Sequence, residues 1–534
     1  MSTFDHDVDF VVIGSGFGGS VAALRLAEKG YSVLVLEKGK RYRPEDFPTT
    51  NWNLRKWLWM PPLGFFGFFN ISIFRHVTVL SGAGVGGGSL VYANCLQIPS
   101  AEFFTAPSWA HLADWQRELE EFYPLVRKML GATPNPRFDA GDLALQQLAR
   151  DIGRERDFAP TTVSVYFGEP GVRAPDPYFG GRGPERSGCT FCGGCMVGCR
   201  HDAKNSLDKN YLYFARQLGA RIQAESLVDD VTPIGRQDGS DGYRVHWRKS
   251  TSLLPKNGKR SGEVTCRGIV FAGGVLGTVD LLLRLRTTSL PRLSSRIGAD
   301  VHTNSESLNG VTTFKRDTDF SQGLAIGSIL RTDSHSHLEP VSYPSGSGFW
   351  RLFVMPLVHR RNTVTRLLSV LADLVRHPVR NARVLLVRDW AKRTQILLYM
   401  RTIDGTLRLR RGLLGLRSLL DGGTPPTPFM PEARELAERF AGIVDGKPMA
   451  MATEVFLGSP TTAHVLGGCV MGRDETEGVV DKDNRVFGYE NMYACDGSTI
   501  SANPGVNPSL TIAALAERAM SKVPPRQNAQ WDTP

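Results

Sequence analysis

Four cysteines form the densest group of chemically reactive residues in this sequence. Cys189, Cys192, Cys195 and Cys199 follow the spacing Cys-x2-Cys-x2-Cys-x3-Cys, and glycines lie among them. Bacterial ferredoxins use this spacing to bring several thiolates onto one cubane face, so the motif predicts an inserted iron–sulfur cluster. Such a cluster would pass electrons one at a time, which implies a redox-protein acceptor.

Two other interpretations of these cysteines stay open. Zinc sites more often place two cysteine pairs a dozen or more residues apart, so zinc fits this spacing less well. Free thiols need no metal, and Arg200 stands where the ferredoxin pattern has proline. The eight cysteines of the chain are not distributed like those of a secreted disulfide scaffold.

A glycine pattern near the N-terminus predicts a nucleotide site. Gly14, Gly16 and Gly19 follow an apolar strand and open a helical pattern, and the next apolar strand ends at Glu37. In this context Gly14 permits a tight turn, Gly16 lets the backbone approach a pyrophosphate, and Gly19 lets the helix pack closely. Glu37 would accept hydrogen bonds from adenosine ribose hydroxyls. The pattern by itself does not separate NAD from FAD.

A second glycine run follows, where a simple NAD-binding domain usually has ordinary helix. Such a density of glycine indicates backbone pressed against a flat or charged group, although a mobile loop is the alternative. The run consists of Gly82, Gly84, Gly86, Gly87, Gly88 and Ser89.

Three further motifs lie near the C-terminus, and one lies in the middle of the chain. They are His464-Val-Leu-Gly-Gly-Cys469, Tyr493-Ala-Cys-Asp-Gly-Ser498, Asn503-Pro-Gly-Val-Asn-Pro508 and Phe271-Ala-Gly-Gly-Val-Leu-Gly277. Together with the glycine runs they resemble the glucose-methanol-choline (GMC) oxidoreductase family, and within it the bacterial cholesterol oxidase-like branch that holds its flavin non-covalently.

This resemblance implies FAD as the cofactor, with the second glycine run against the isoalloxazine and Asp496 near the ribityl and phosphate groups. The cofactor-binding residues that it implies, together with the nucleotide fingerprint, are Gly14, Gly16, Gly19, Glu37, Gly82, Gly86, Gly87, Gly88, Ser89, Asn94, Val228, Gly273, Asp496, Gly497, Asn507 and Pro508.

The expected reaction is the oxidation of a bulky apolar alcohol, most simply a 3β-hydroxysteroid. A hydride leaves carbon for flavin N5 while a base takes the hydroxyl proton, and a group titrating near neutrality suits that task. His464 has that chemistry and matches the family's histidine, although Val465 follows it where the family usually has proline. Asn507 matches the amide that contacts substrate oxygen, with a turn asparagine before proline as the alternative.

Glu339, in His337-Leu-Glu339-Pro, resembles the family carboxylate that lies over the steroid ring. There it moves a ring proton and so converts the Δ5 ketone to a Δ4 enone. An apolar pocket would raise the pKa of such a base. The alternative is a surface glutamate in a polar loop.

The basic charge of the chain is concentrated in one segment. The net charge is +10, and fifteen basic residues but only three acids lie between Arg351 and Arg417. The rest is nearly neutral, which argues against a general affinity for nucleic acid. Within the segment an apolar stripe (Leu367, Val370, Leu371, Leu374 and Val375) flanked by arginines fits a helix lying on a membrane, or one packed on the core.

A second apolar segment, Trp57 to Phe69, is too short and too rich in proline and glycine to span a bilayer, and we interpret it as a lid or shallow anchor. The start Met1-Ser-Thr-Phe-Asp-His-Asp has neither the basic nor the apolar part of a secretory signal. We therefore expect a cytoplasmic protein with peripheral membrane contact.

The expected fold class is α/β, or α+β overall: a discontinuous Rossmann-like FAD-binding domain plus a substrate domain built on an antiparallel sheet with helices. The predicted FAD-binding domain comprises 1–50, 76–100, 200–310 and 457–534; the lid or insert with the cysteines comprises 101–199; the substrate domain comprises 51–75 and 311–456. Alternative functions are a dehydrogenase of long-chain, terpenoid or other alcohols with a protein or quinone acceptor, and a membrane-associated flavin electron carrier.

Overall fold

The structure is a computed structural model that describes residues 5–252, 261–358, 360, 362–402, 405–413, 415–421 and 425–526. The first four residues of the acidic start, and Arg361 and Asp404 of the basic segment, lie outside the described residues. Two seven-stranded sheets position the residues singled out above.

The first sheet contains the nucleotide fingerprint. Its central strand, Val8–Ile13, is apolar apart from Asp9 and is buried along its whole length, as parallel strands usually are. In spatial order the strands are Arg221–Gln223, Val33–Leu36, Val8–Ile13, Ser261–Phe271, Tyr243–Lys249 and Ser226–Pro233, and Met492–Ala494 pairs parallel with Ser261–Phe271. Strands from both ends and the middle of the chain therefore join in one sheet, which confirms the predicted Rossmann-like, discontinuous arrangement.

The two ends of the chain are also tied together by helices. The first helix, Phe17–Glu28, packs against the last, Ser509–Ser521. Between them Arg25 forms an ion pair with the buried Glu517, with Nε 2.6 Å from Oε2. The Tyr211 hydroxyl donates to the same carboxylate over 2.7 Å.

The second sheet is antiparallel throughout, as predicted for the substrate-binding part. In spatial order its strands are Val354–Pro356, Gly446–Met451, Ser307–Thr313, Thr394–Arg401, Ser336–Val341, Ser328–Arg331 and Phe158–Pro160. One face of this sheet packs on the helices Ala140–Asp151 and Pro431–Ile443. The alternating side chains on the other face include Glu339, which therefore points away from those helices.

A small three-stranded sheet connects the second glycine run to the His464 motif. Thr461–Thr462 pairs parallel with Thr78–Gly82, which in turn pairs with Phe69–Ile73. The segment that leads into Gly82 thus lies beside the segment that leads into His464.

The remaining elements connect and cover these sheets. Other helices are Leu54–Trp57, Ala101–Phe104, Trp115–Glu120, Phe122–Met129, Tyr211–Gln217, Gly274–Arg286, Thr363–Arg376, Pro378–Leu386, Trp390–Arg393 and Ala452–Leu457. Smaller strand groups are Val301–His302 with Thr406–Gly412 and Gly415–Leu420, Trp59–Met60 with Phe65–Phe66, Ala132–Pro134 with Thr162–Ser164, and Arg173–Ala174 with Arg186–Ser187.

The domain division made from the sequence stays a prediction. Phe158–Pro160, inside the predicted insert, forms an edge strand of the second sheet, and Ser307–Thr313 crosses the predicted boundary at 310. Both strands belong to the second sheet, and the sequence pattern does not show which sheet a strand will join.

The apolar stripe of the basic segment lies on a helix, Thr363–Arg376, but it faces outward. Val370 is buried, whereas Leu367, Leu371, Leu374 and Val375 are exposed. The core-packing alternative is therefore wrong for most of the stripe. Among the described residues, no helix combines the length and apolar character needed to cross a bilayer.

The second apolar segment is mostly internal. Trp57, Phe68 and Phe69 are buried in an aromatic cluster with Phe349 and Trp350. Since only Leu63 is strongly exposed among the described large apolar residues from 57 to 69, this segment stabilises the fold more than it presents an anchor.

Candidate active site

The three fingerprint glycines differ in what surrounds them. A Cβ atom added to Gly14, which has a φ of +104°, would lie 2.2 Å from the carbonyl oxygen of Ala272. A Cβ on Gly19 would lie 2.2 Å from the carbonyl oxygen of Gly14. Gly16, at the start of helix Phe17–Glu28, has nothing within 4 Å of that position. Gly14 and Gly19 are thus required by close packing, while Gly16 borders open space at a helix N-terminus, where a phosphate would be favoured.

Glu37 lies at the end of the second parallel strand, as predicted, and is buried. One carboxylate oxygen accepts from the backbone N–H of Ser15 (3.1 Å) and the Ser15 hydroxyl (2.7 Å), and the other accepts from Gly39 N–H (2.8 Å). These bonds fix the carboxylate beside the glycine turn. Val228 is buried on strand Ser226–Pro233, whose first residue donates its N–H to the Glu37 carbonyl.

The second glycine run folds directly against the first. A Cβ on Gly87 would lie 2.6 Å from Cα of Gly16, and one on Gly82 would lie 2.5 Å from the Gly87 carbonyl oxygen. Gly86 and Gly87 both have positive φ, and the Ser89 hydroxyl closes the turn by donating to the Gly86 carbonyl. Gly88 completes the run in the short helix Gly87–Leu90.

The C-terminal motifs close on the same place. A Cβ on Gly18 would lie 1.6 Å from the Cys495 carbonyl oxygen, so the two ends of the chain touch there. Asp496 accepts from Gly274 N–H (2.9 Å), the Thr278 hydroxyl (2.6 Å) and Ser498 N–H (2.8 Å). Burial raises the pKa of Asp496. The visible role of this carboxylate is to hold the Gly273 and Gly497 loops together; its contact with a flavin stays a prediction.

The residues around the place where the glycine runs meet the C-terminal motifs fit FAD. The side-chain amide of Asn94 is buried, at a φ of +73°, and neither its nitrogen nor its oxygen has a hydrogen-bond partner among the described residues. The same holds for Ser498 Oγ and Asn507 Oδ1. Added Cβ atoms at Gly16, Gly274 and Gly277 would meet nothing within 4 Å. Buried polar atoms normally have partners, so unpaired ones beside open backbone indicate a polar ligand.

His464 is partly buried, with its side chain 11% exposed, and is paired with a carboxylate. Its Nδ1 atom is hydrogen bonded to Oε1 of Glu306, and Glu306 Oε2 accepts from Ala463 N–H over 3.2 Å. Burial by itself lowers the pKa of His464, but the carboxylates of Glu306 and, to a smaller extent, Glu339 hold that pKa above its ordinary value. With Nδ1 engaged, Nε2 is the nitrogen left to accept a proton from a substrate.

Glu339 and Asn507 lie together near His464. Glu339 is completely buried; its Oε1 accepts from Gln97 Nε2 over 2.9 Å, and its Oε2 is 3.5 Å from Asn507 Nδ2. Asn507 precedes Pro508 at the start of helix Ser509–Ser521. The three predicted catalytic residues are thereby brought to one place, and the surface-loop alternative for Glu339 is wrong.

An apolar wall surrounds Glu339. Buried side chains from the same face of the second sheet and from neighbouring loops form it, and they are Cys95, Ile326, Val341, Leu398 and Met400. Such a surface suits an apolar substrate far better than a sugar or a small polar alcohol.

Glu306 and Gln97 were missed in the sequence. Glu306 lies in the polar stretch Thr303-Asn-Ser-Glu-Ser307, which reads like a loop, and Gln97 follows the second glycine run without a motif of its own. Only tertiary pairing brings them to His464 and Glu339. The sequence offered one weak signal for Glu306: it stands directly before Ser307–Thr313, a segment with some apolar residues that could have been predicted as a strand.

The structure gives no support for the predicted metal site at the four cysteines. Cys189, Cys195 and Cys199 pack in an apolar cluster with Val163 and Leu324. Among the described residues, which include all eight cysteines, no group of three or more His, Cys, Asp or Glu is arranged to hold a metal ion. Burial raises the pKa of Cys189, and that of Cys195 to about 11, so both are neutral thiols at physiological pH. The iron–sulfur prediction and the zinc alternative therefore lack structural support.

Comparison with known proteins agrees with this geometry. Residues 398–516 match a family model described as GMC oxidoreductase, and residues 12–42 match one described as an NAD(P)-binding Rossmann-like domain. A cholesterol oxidase of Acinetobacter baumannii is 44% identical to the chain, covering 99% of the chain and 97% of that protein. The chain belongs to the GMC oxidoreductase family.

Other relatives of this GMC oxidoreductase are consistent with that assignment. A cholesterol oxidase of Mycobacterium tuberculosis (strain ATCC 25618 / H37Rv) is 42% identical, covering 97% of the chain and 91% of that protein. A long-chain-alcohol oxidase of Arabidopsis thaliana is 24% identical, and the match covers 96% of the chain and 67% of that protein. The crystal structure of pyridoxine 4-oxidase from Mesorbium loti shares the fold, with a TM-score of 0.61, 16% identity, and coverage of 97% and 99%.

As a GMC oxidoreductase, the protein is an FAD-dependent alcohol oxidoreductase. Bound FAD supplies the hydride acceptor, and the residues described above supply the rest of the site. An electron carrier without an alcohol substrate of its own is not the function of such a site.

Proposed function

We propose that this enzyme binds FAD non-covalently, oxidises the 3β-hydroxyl of a sterol and then moves the ring double bond from Δ5 to Δ4. The observation that carries the proposal is the pairing of the His464–Glu306 dyad with Glu339 in an apolar wall. The cholesterol oxidases, at 42–44% identity over nearly the whole chain, favour the same substrate class.

In the oxidation step, Nε2 of His464 accepts the hydroxyl proton while the carbon–hydrogen bond breaks. The positive charge that forms on the imidazole is stabilised by the Glu306 carboxylate at Nδ1. The side-chain amide of Asn507, whose Oδ1 lacks a protein partner among the described residues, orients the substrate oxygen.

In the second step, Glu339 takes a proton from the ring carbon between the ketone and the Δ5 double bond. It returns the proton to the far carbon of that original double bond, which leaves the double bond conjugated with the ketone. No net proton is gained or lost. Glu339→Gln tests this step, because an amide cannot accept that proton. We expect loss of enone formation from a 5-ene-3-ketosteroid while alcohol oxidation persists; unchanged isomerisation would remove Glu339 from the proposal.

A long-chain or terpenoid alcohol is the second candidate substrate, favoured by the likeness to a long-chain-alcohol oxidase. Anaerobic bleaching of the flavin with a panel of alcohols separates the two. Rapid bleaching by cholesterol and slow bleaching by hexadecanol or geraniol supports the sterol, and the reverse order contradicts it.

We also propose that the enzyme takes its substrate from an anionic membrane surface. The exposed side of helix Thr363–Arg376 carries Val364, Leu368, Leu371 and Val375, each between 58% and 71% exposed. The opposite side holds the helix on the protein through buried Val370 and Arg366 and through the Asp373–Lys447 ion pair. Because Arg366, Val370 and Asp373 hold one side of the helix against the protein, the apolar stripe on the other side faces solvent.

The surroundings of this stripe favour lipid over a second copy of the chain. Exposed Arg376, Arg380 and Arg383 flank it, and a symmetric dimer would bring these like charges together, whereas anionic headgroups complement them. Exposed Phe456 and Leu457 extend the patch on helix Ala452–Leu457, which contacts Thr363–Arg376 and leads on towards His464. The patch thus lies near the chain segment that carries the catalytic base.

Vesicles of phosphatidylglycerol and phosphatidylcholine test the membrane proposal by co-sedimentation. We expect binding at low salt that weakens with salt, and loss of binding in Leu368→Glu/Leu371→Glu. Leu143→Glu is the matched control, because Leu143 is 53% exposed on helix Ala140–Asp151. Absence of wild-type binding, or equal binding by both variants, contradicts the proposal, and a concentration-dependent dimer lost in the double variant would assign the patch to self-association instead.

We propose that the four clustered cysteines are free thiols and that the enzyme needs no bound metal. We also propose that the enzyme is cytoplasmic. Iron and acid-labile sulfide analysis after anaerobic purification tests the proposal for the cysteines. Stoichiometric iron and sulfide would restore the iron–sulfur cluster and a redox-protein acceptor, whereas their absence leaves oxygen or a quinone as the acceptors to be compared.

A further inference from the structure

His337 and Glu339 share one face of the strand Ser336–Val341, because side chains two residues apart in a strand point the same way. Both are buried, and Nε2 of His337 lies 3.6 Å from Oε1 of Glu339. No contact with the reacting atoms is needed for His337 to influence this carboxylate.

The two oxygens of Glu339 have different surroundings. Oε1 accepts a hydrogen bond from Gln97 Nε2 at 2.9 Å and has His337 next to it. Among the described residues, Oε2 has only the long contact of 3.5 Å with Asn507 Nδ2. One oxygen is therefore anchored by the protein, and the other lies towards the proposed substrate position near Asn507.

His337 Nε2 is itself buried without a hydrogen-bond partner among the described residues. Buried polar atoms are normally paired, and the carboxylate oxygen 3.6 Å away lies just outside bonding distance. Hydrogen bonds of catalytic groups often shorten when substrate binds. A small movement of the His337 imidazole towards Glu339 would complete the hydrogen bond between Nε2 and Oε1.

We propose that His337 is a positioning residue that, with Gln97, holds Oε1 of Glu339 and leaves Oε2 as the atom that takes the steroid ring proton. This inference rests on the sterol isomerisation proposed above. The apolar wall cannot hold the carboxylate by hydrogen bonds, so the orientation of Oε1 depends on Gln97 and on the neighbouring His337.

Few other charged groups reach Glu339 among the described residues. His464 interacts with it across the site, and buried Cys95 lies near it as a neutral thiol, since burial raises its pKa strongly. The neighbouring strands place apolar Leu398 opposite Glu339, and the exposed Arg331 opposite His337. Gln97 is thus the donor that Oε1 has, and His337 is the polar neighbour placed to become a second one.

The test is the pH dependence of isomerisation of a 5-ene-3-ketosteroid by the FAD-loaded enzyme. In His337→Phe the carboxylate loses a neighbouring polar group at Oε1, so the acidic limb should move to higher pH and the rate near neutrality should fall about tenfold or more. Oxidation of the 3β-alcohol should fall less. His337→Gln retains a donor of similar reach and should restore the wild-type limb.

His335→Phe is the matched control: the same substitution two residues earlier, at a side chain that is 53% exposed. It should leave both reactions as in the wild type. If His337→Phe does not retain FAD, Gln97→Leu removes the other donor and should shift the limb in the same direction. An unmoved limb in these variants, or equal losses in His337→Phe and His337→Gln, would overturn the inference. An inert wild type would instead overturn the sterol proposal, and the inference with it.

Discussion

The Nδ1 atom of His464 is hydrogen bonded to the carboxylate of Glu306, which is 1% exposed. The pair joins a residue of the C-terminal motif to one that precedes the strand Ser307–Thr313 of the other sheet. The orientation of the proposed base therefore depends on the residue that precedes this strand and on the small three-stranded sheet that leads into His464.

Replacing His464 should abolish most of the oxidation without loss of the cofactor. His464→Gln removes the proton acceptor, and general bases contribute roughly 10²- to 10⁴-fold to such steps. Stopped-flow reduction of the flavin by cholesterol under anaerobic conditions measures this step alone. The flavin absorbance of the purified variant serves as the control, and a reduction rate within threefold of wild type would contradict the assignment.

Replacing Glu306 should move the pH profile. Because Glu306 raises the pKa of His464, the base is neutral only above an elevated pKa, and the acidic limb of kcat/KM should lie above the ordinary histidine value of about 6.5. In Glu306→Gln that limb should move to lower pH, while the rate at its plateau falls because the imidazolium is less stabilised. A limb that stays in place would show that His464 is not the titrating group.

A methyl group at Gly87 should impair FAD binding. Its φ is +53°, and the added Cβ would lie 2.6 Å from Cα of Gly16, so the two glycine loops must separate. We expect Gly87→Ala to purify with little FAD and a weakened affinity on reconstitution. Gly153→Ala is the control, because Gly153 also has positive φ (+71°) but meets nothing within 4 Å. Equal FAD content in the two variants would argue against contact between the loops.

The Arg25–Glu517 pair should matter for stability. Arg25→Met leaves the buried Glu517 carboxylate with Tyr211 as its remaining side-chain partner, and uncompensated buried charges cost about 3–5 kcal/mol. Removing the exposed pair with Arg434→Met should cost below about 0.5 kcal/mol. Urea unfolding of the FAD-loaded proteins measures both, and similar midpoints would indicate that the chain ends are held by apolar packing alone.

Much of the nucleotide-binding half could be predicted from sequence because its signals are local. Gly14, Gly16 and Gly19 lie close together where a strand leads into a helix, so a few nearby residues predict both the fold and a dinucleotide as the class of ligand. The structure confirms that fold class and the antiparallel second sheet.

The rest of the site depends on contacts between distant segments. Glu306 lies 158 positions from His464, and Gln97 lies 242 positions from Glu339, so neither spacing carries a signal. The iron–sulfur prediction lacks support for the opposite reason: the spacing of the cysteines is informative, but Cys189, Cys195 and Cys199 pack in an apolar cluster. The sequence left open whether the apolar stripe of the helix Thr363–Arg376 faces a membrane or the core, because periodicity does not tell which side of a helix meets the protein.

The parallel pairing of Thr461–Thr462 with Thr78–Gly82 has an evolutionary consequence. It fastens the segment that leads into His464 to the segment that leads into Gly82, whereas Glu339 belongs to a different sheet. Under the proposed function, substitutions around Glu339 can therefore change the double-bond shift while His464 stays beside the second glycine run, so related enzymes can differ in which ketone they release.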